Sequence, residues 1–237
     1  MGFICLMNLS TYITDFTALF FPSFCAGCHR SLVKGEESIC FYCQARLPRT
    51  RMHDERGNKL ERLFWGRTDI QAATAFLKMP REGTVHNLIH ELKYRDNKNV
   101  GIRLGKMFGT ELSTSKSMCN FDYIIPVPLH PVKLQMRGYN QCDCIAEGME
   151  ITLQSEVLKD NLCRIRFNDS QTRKSRYDRW KNVETIFGVR NPSLLEGKRI
   201  LLVDDVITTG STIEACSNVL TGIPGLKLCV ASIAIPA

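Results

Sequence analysis

The sequence predicts an α/β protein in which a parallel sheet is flanked by helices and preceded by a small N-terminal four-cysteine module. Three observations carry this. Apolar runs short enough for buried strands alternate with helical stretches from Asp69 to the C-terminus. The last of these, GKRILLVDD, STIEACSNVLTGI and LKLCVASIAI, read as strand, helix and strand, the βαβ unit of a parallel sheet. Near the N-terminus, two CxxC pairs are separated by eleven residues. At 237 residues, 44% hydrophobic and 23% charged, the chain is long enough to bury an ordinary core.

Residues 1–21 carry Phe3, Ile4, Leu6, Leu9, Ile13, Phe16 and Phe20 at roughly helical spacing, so an N-terminal helix docked on the body is expected. The stretch lacks the basic start and small-residue cleavage site of a signal peptide, and Leu6 stands where a myristoylation motif wants Ser or Thr. No apolar run reaches the roughly 20 residues of a membrane span.

Residues 22–48 form the cysteine module. Cys25 and Cys28 make one pair, Cys40 and Cys43 the other, and four soft sulfur ligands suit a structural Zn²⁺ with no open coordination position. The gap is shorter than usual for such a site, which leaves His29 as an alternative ligand. Eleven cysteines without an export signal point to reduced thiols and a cytoplasmic location. Residues 49–67 are polar and basic, with Gly57 and Asn58, and read as a linker to a main domain over 68–237.

In that domain IQAATAFL reads as a strand, VHNLIHELKY and VGIRLGKMFGTEL as helices, FDYIIPVPL as a short strand, and Asn140 to Leu153 as a helix. His86 and His90 lie four apart on the first helix and are best read as a packed or exposed face. Ligands of parallel sheets bind beyond the carboxyl ends of the strands, so the loops after FDYIIP and after ILLVDD should face one crevice.

The stretch ILLVDDVITTGST brings Asp204 and Asp205 to the end of a buried strand. Two adjacent carboxylates repel and resist desolvation unless a cation or hydroxyl groups meet them, as a hydrated Mg²⁺ or a ribose diol would. Thr208, Thr209, Gly210, Ser211 and Thr212 then run into a helix N-terminus, where amides, hydroxyls and the helix dipole suit a phosphate. A diol site followed by a phosphate cradle describes a ribose 5-phosphate.

This thirteen-residue string resembles the phosphoribosyl-pyrophosphate (PRPP) signature of type I phosphoribosyltransferases. With the cysteine module, LKYRDNKNVGIRLG and IIPVPLHPVKLQMRGYNQ in that order, nearly the whole chain resembles the ComF family of competence-associated phosphoribosyltransferase-like proteins. The resemblance implies the type I phosphoribosyltransferase fold, with Asp204 and Asp205 on the ribose hydroxyls and Mg²⁺, and Thr208 to Thr212 on the 5-phosphate. It makes Lys133 and Arg137 candidates for pyrophosphate, and it puts Lys93, Tyr94 and Arg95 at the crevice rim. His130 is left between touching pyrophosphate and capping its turn.

The basic stretch from Arg164 to Asn182 matches in position the loop that closes over pyrophosphate in such enzymes, with Arg173 and Lys174 as its suspected catalytic residues. Interleaved with Phe167, Tyr177 and Trp180, the same charges suit single-stranded nucleic acid. A formal charge of +7 favours an anionic partner of either kind. The functions in play are therefore phosphoribosyl transfer to an unnamed acceptor, PRPP sensing without turnover, and single-stranded DNA handling with competence-machinery proteins.

Overall fold

The computed structural model describes residues 22–164 and 186–237. The expected N-terminal helix over 1–21 and the basic stretch containing Arg173 and Lys174 lie outside the described residues.

The cysteine module begins with two tight turns and ends in helix α1 (Phe41–Ala45). It is docked firmly on the rest of the chain: Cys25, Ala26, Ile39, Cys40, Cys43 and Leu47 share one apolar core with the main sheet. The 49–67 stretch, expected as a linker, is instead part of the fold. Thr50 N–H donates to the Phe76 carbonyl and Lys78 N–H to the Pro48 carbonyl (both 2.9 Å), which covers a sheet edge. Helix α2 (Lys59–Phe64) follows, with Leu60 and Phe64 buried. Asn58 caps it, its side-chain oxygen accepting from the N–H groups of Leu60 (2.9 Å) and Glu61 (3.0 Å). Of the basic residues that suggested a linker, Lys59 and Arg62 are exposed on this short amphipathic helix, and Arg49, Arg51, Arg56 and Arg67 are exposed on the chain around it.

The main domain then runs β1 (Ala72–Met79), α3 (Thr84–Tyr94), α4 (Lys98–Ser113), β2 (Tyr123–Pro126), α5 (Pro131–Arg137), α6 (Gln141–Leu153) and β3 (Glu156–Val157). It continues with β4 (Leu162–Arg164), β5 (Phe187–Val189), β6 (Arg199–Val206), α7 (Ser211–Leu220) and β7 (Lys227–Pro236). Five strands form a parallel sheet in the order β1-β7-β6-β2-β3, and β4 pairs antiparallel with β5.

Both faces of the sheet are covered, as a parallel sheet requires. Along β6, Leu201 and Val203 enter the core shared with α3, α4, α6 and the cysteine module, while Ile200 and Leu202 enter the core with α2 and α7. Helices α4 and α6 meet backbone to backbone through glycines. A Cβ on Gly105 would stand 2.1 Å from the Ile145 carbonyl oxygen, and one on Gly148 would stand 2.1 Å from that of Ile102. This close approach seats the N-terminus of α6 beside the ends of β2 and β6. Among the described residues, no helix is long and apolar enough to cross a membrane.

Candidate functional site

The last residues of β6 are Asp204, Asp205 and Val206, so the acidic pair belongs to the strand itself. The Asp205 N–H donates to Asp204 Oδ1 at 2.8 Å, and the Cys142 thiol, from the first turn of α6, donates to the same oxygen at 3.6 Å. Asp205 faces the other way and meets Lys93, with Nζ 3.1 Å from Oδ1. Burial first, and the Asp205 charge second, push the Asp204 carboxyl up to about 7, against the opposing pull of the Asp205 N–H, Lys93 and Cys142. The pair is thus short of compensating charge and suited to take hydroxyl donors or a hard cation through its oxygens.

Beyond β6, Ile207 is buried and Thr208 and Thr209 are exposed. Gly210 has φ +76°, and Ser211 and Thr212, both exposed, open the ten-residue α7. The glycine is needed for more than its positive φ: a Cβ there would meet Phe64 Cε1 of α2 at 2.7 Å. Arg67, just past α2, donates to the Thr209 carbonyl (3.0 Å) and pairs with Glu214 in the first turn of α7. The former linker therefore buttresses the loop from behind and leaves its hydroxyls and helix-start amides facing outward.

The loop after β2 opens on the same edge of the sheet. His130 is resolved as a cap, its Nδ1 accepting from the Val132 N–H at 3.2 Å. Lys133 stands exposed on α5. Arg137 donates to Gln141 Oε1 (2.7 Å) and lies over the Tyr94 ring at 5.2 Å. Gly138 turns the chain at φ +74°, the Tyr139 hydroxyl donates to the Leu92 carbonyl, and Asn140 caps α6. Much of RGYNQ is therefore framework, tying α5 and α6 to the last turn of α3.

Of the residues expected at the site, the structure brings together Asp204, Asp205 and Lys93, with Tyr94 linking that cluster to Arg137. Arg95 is exposed at the end of α3. His86 and His90 stack along that helix toward Tyr94, with ring centroids 6.4 Å and 5.0 Å apart. Sequence reasoning missed Cys142, Phe64 and Arg67. The Asn58-x-x-Glu61 cap followed by Leu63 and Phe64 was the legible signal for α2, whereas nothing local announces the contact of Cys142 with Asp204. A cavity of about 1110 Å³ lies between α5 and the β4–β5 pair, lined by His130, Asn140, Asp143, Lys159, Arg164 and Arg190 among others. The acidic pair does not line it.

In the cysteine module, the sulfur atoms of Cys25, Cys28, Cys40 and Cys43 all lie within 4.8 Å of one another, with Cys28 and Cys40 at 3.7 Å. A tetrahedral zinc with Zn–S bonds of about 2.3 Å needs sulfur separations of about 3.8 Å, so the cluster fits a zinc module. Backbone N–H groups of Gly27 and Cys40 donate to Cys25 Sγ at 3.4 and 3.3 Å. Burial raises the Cys25 thiol, but the N–H groups of Cys40, Cys28 and Gly27 together outweigh it and bring it down to about 7. His29 is exposed and stands outside the cluster.

The phosphoribosyl transferase domain family matches residues 157–232 of this chain, which include the acidic pair and the loop after it. DNA utilization protein YhgH of Escherichia coli (strain K12) is 27% identical over 215 residues, spanning 84% of this chain and 91% of that protein. Competence protein ComFC of Bacillus subtilis (strain 168) is 25% identical over 231 residues, 92% of this chain and 88% of that protein. Competence protein F of Haemophilus influenzae is 36% identical over 98 residues, 41% and 43% of the two chains.

Proposed function

We propose that this chain, a ComF-family protein with the phosphoribosyltransferase fold, binds PRPP or a related ribose 5-phosphate with Mg²⁺ at the β6 crevice and transfers the phosphoribosyl group to an acceptor. The observation that carries the reading is continuity: a partly buried acidic pair closes β6 and runs within three residues into an exposed hydroxyl loop at the start of α7.

On this reading Asp204 and Asp205 accept hydrogen bonds from the ribose hydroxyls. Thr208, Thr209, Ser211 and Thr212, with the free amides of α7, hold the 5-phosphate, and Gly210 permits the turn. Arg137, already anchored on Tyr94 and Gln141, and Lys133 face the pyrophosphate. Mg²⁺, when bound at the acidic oxygens, offsets the charge of the departing pyrophosphate. The carboxylates also stabilise positive charge as it develops at the anomeric carbon. Arg173 and Lys174 are assigned to the same step on sequence alone. On the same reading Cys25, Cys28, Cys40 and Cys43 hold a structural Zn²⁺, and the thiol-rich composition supports a cytoplasmic location.

Calorimetric titration of PRPP with and without Mg²⁺ tests this, using wild type and the Asp204→Asn/Asp205→Asn variant. Mg²⁺-dependent binding that weakens at least about a hundredfold in the variant supports the reading; equal binding by both proteins refutes it. PRPP binding without pyrophosphate release across a panel of acceptors would instead assign a sensor.

A second reading, single-stranded DNA handling alongside competence proteins, is favoured by one feature of the cysteine module. The guanidinium groups of Arg30 (5.8 Å) and Arg46 (5.0 Å) both lie over the ring of exposed Tyr42, a pairing of ring and cation that suits base stacking beside phosphate. Salt-dependent binding of an oligonucleotide that is lost in Tyr42→Ala but kept in the aspartate variant would favour it over the first.

A further inference from the structure

We propose that Lys93 is a resident counter-ion that occupies Asp205 in the ligand-free chain, yields that carboxylate to an incoming divalent cation, and then binds the phosphate groups of the same ligand. The proposal rests on the crevice reading above and adds to it a residue with two successive partners.

The first argument is charge. The side chains of Lys93 and Asp205 are only 20% and 14% exposed, too little for water to solvate either ion alone, and Asp204 adds a second carboxyl alongside. A positive charge beside this pair is therefore strongly favoured. Among the described residues, Lys93 is the one whose ammonium reaches it, at 3.1 Å.

The second argument is placement. The carbonyl of Leu92 receives the Tyr139 hydroxyl, and the ring of Tyr94 holds Arg137 at 5.2 Å. The last turn of α3 is therefore pinned between the acidic pair on β6 and the motif that follows β2, the two sides that a phosphorylated ribose with its pyrophosphate would span. From that anchored turn, a four-carbon stem lets the ammonium swing several ångströms with no movement of the helix. A divalent cation at Asp205 repels Lys93, and the phosphate groups of the same ligand then offer the ammonium a new partner.

A purely structural ion pair and an exchanging one predict different signs. Removing an exchanging lysine relieves competition for the cation while it weakens the hold on the anion. Removing a structural one acts on each ligand only through its screened field and leaves both affinities nearly unchanged.

The test is calorimetric titration of Mg²⁺ alone, and of inorganic pyrophosphate in saturating Mg²⁺, into full-length wild type, Lys93→Met and Lys93→Arg, with melting curves alongside. In Lys93→Met, Mg²⁺ alone should bind about tenfold more tightly and raise the melting temperature more than in wild type, while pyrophosphate binds about tenfold more weakly. Lys93→Arg, which keeps the charge and tests the point should the methionine variant fold poorly, should hold pyrophosphate within about threefold of wild type. Affinities that are both unchanged, or both weakened, in Lys93→Met overturn the proposal. A wild type that takes up Mg²⁺ and pyrophosphate but not PRPP would retire the ribose reading and leave Lys93 with its role; one that binds neither Mg²⁺ nor pyrophosphate overturns both.

Discussion

The cysteine module and the acidic crevice each crowd groups that repel one another once ionised, yet they relieve the repulsion over very different distances along the chain. In the module, the donors are backbone N–H groups of Gly27, Cys40 and Cys43, all within the same short segment as the sulfurs they serve. In the crevice, Asp204 takes one local donor, the Asp205 N–H, but its other donor is Cys142, 62 residues away, and Asp205 meets Lys93 on another helix. A metal knuckle can organise itself from local backbone, whereas a pair of carboxylates at a strand end needs the tertiary fold to bring it partners.

If that contrast is right, damage to helix packing far from either site should reach the crevice and spare the module's ligands. Gly105→Val puts a Cβ 2.1 Å from the Ile145 carbonyl oxygen, which should force α4 away from α6 and shift Cys142 with it. Urea unfolding should show a loss of about 3 kcal/mol, with PRPP affinity falling and bound zinc retained. Loss of zinc together with affinity would mean that the two sites are one cooperative unit.

The converse variant is somewhat milder in its reach. Cys40→Ser removes one sulfur from the cluster and should reduce zinc content to near zero, by elemental analysis, with a stability loss of about 2 kcal/mol. Because the module shares the apolar core that α3 packs into, a small loss of PRPP affinity should follow. Full zinc occupancy in this variant would instead remove Cys40 from the ligand set.

The smallest expected effect, and the sharpest in sign, is on pH. The Asp204 carboxyl stands at about 7 and that of Asp143 at about 6, both raised chiefly by burial above the 3.8 of an ordinary aspartate. A raised carboxyl favours the folded state fully below its ordinary value and stops doing so as pH climbs through the raised one. The ligand-free protein should therefore lose stability as pH rises from 4 to 7, with Asp204 contributing more than the partly solvated Asp143. Zinc affinity runs the other way, since protons compete for thiolates as pH falls. Melting curves across this range for wild type and Asp204→Asn should separate the two, the variant having lost part of the downward slope.

Legibility followed the same division. The continuous apolar runs of β6 and β7, and the apolar residues of α4 at helical spacing, were readable because each element's burial pattern is written in its own residues. The stretch 49–67 was misread since its charge outweighs a helix only six residues long, whose Leu60 and Phe64 matter only once a sheet lies beneath them. His130 could not be divided between ligand and cap until α5 was seen to start beside it.

The sequence by itself determined the alternation of strands and helices, the paired cysteines of the N-terminal module and the acidic-to-hydroxyl string, because spacing along the chain is enough to specify each. Only the tertiary structure decided that Lys93 neutralises Asp205, that Cys142 backs Asp204, and that Phe64 and Arg67 brace the loop after β6. Those contacts join residues far apart in the chain, and their geometry exists only after helix packing and strand order have brought the elements together.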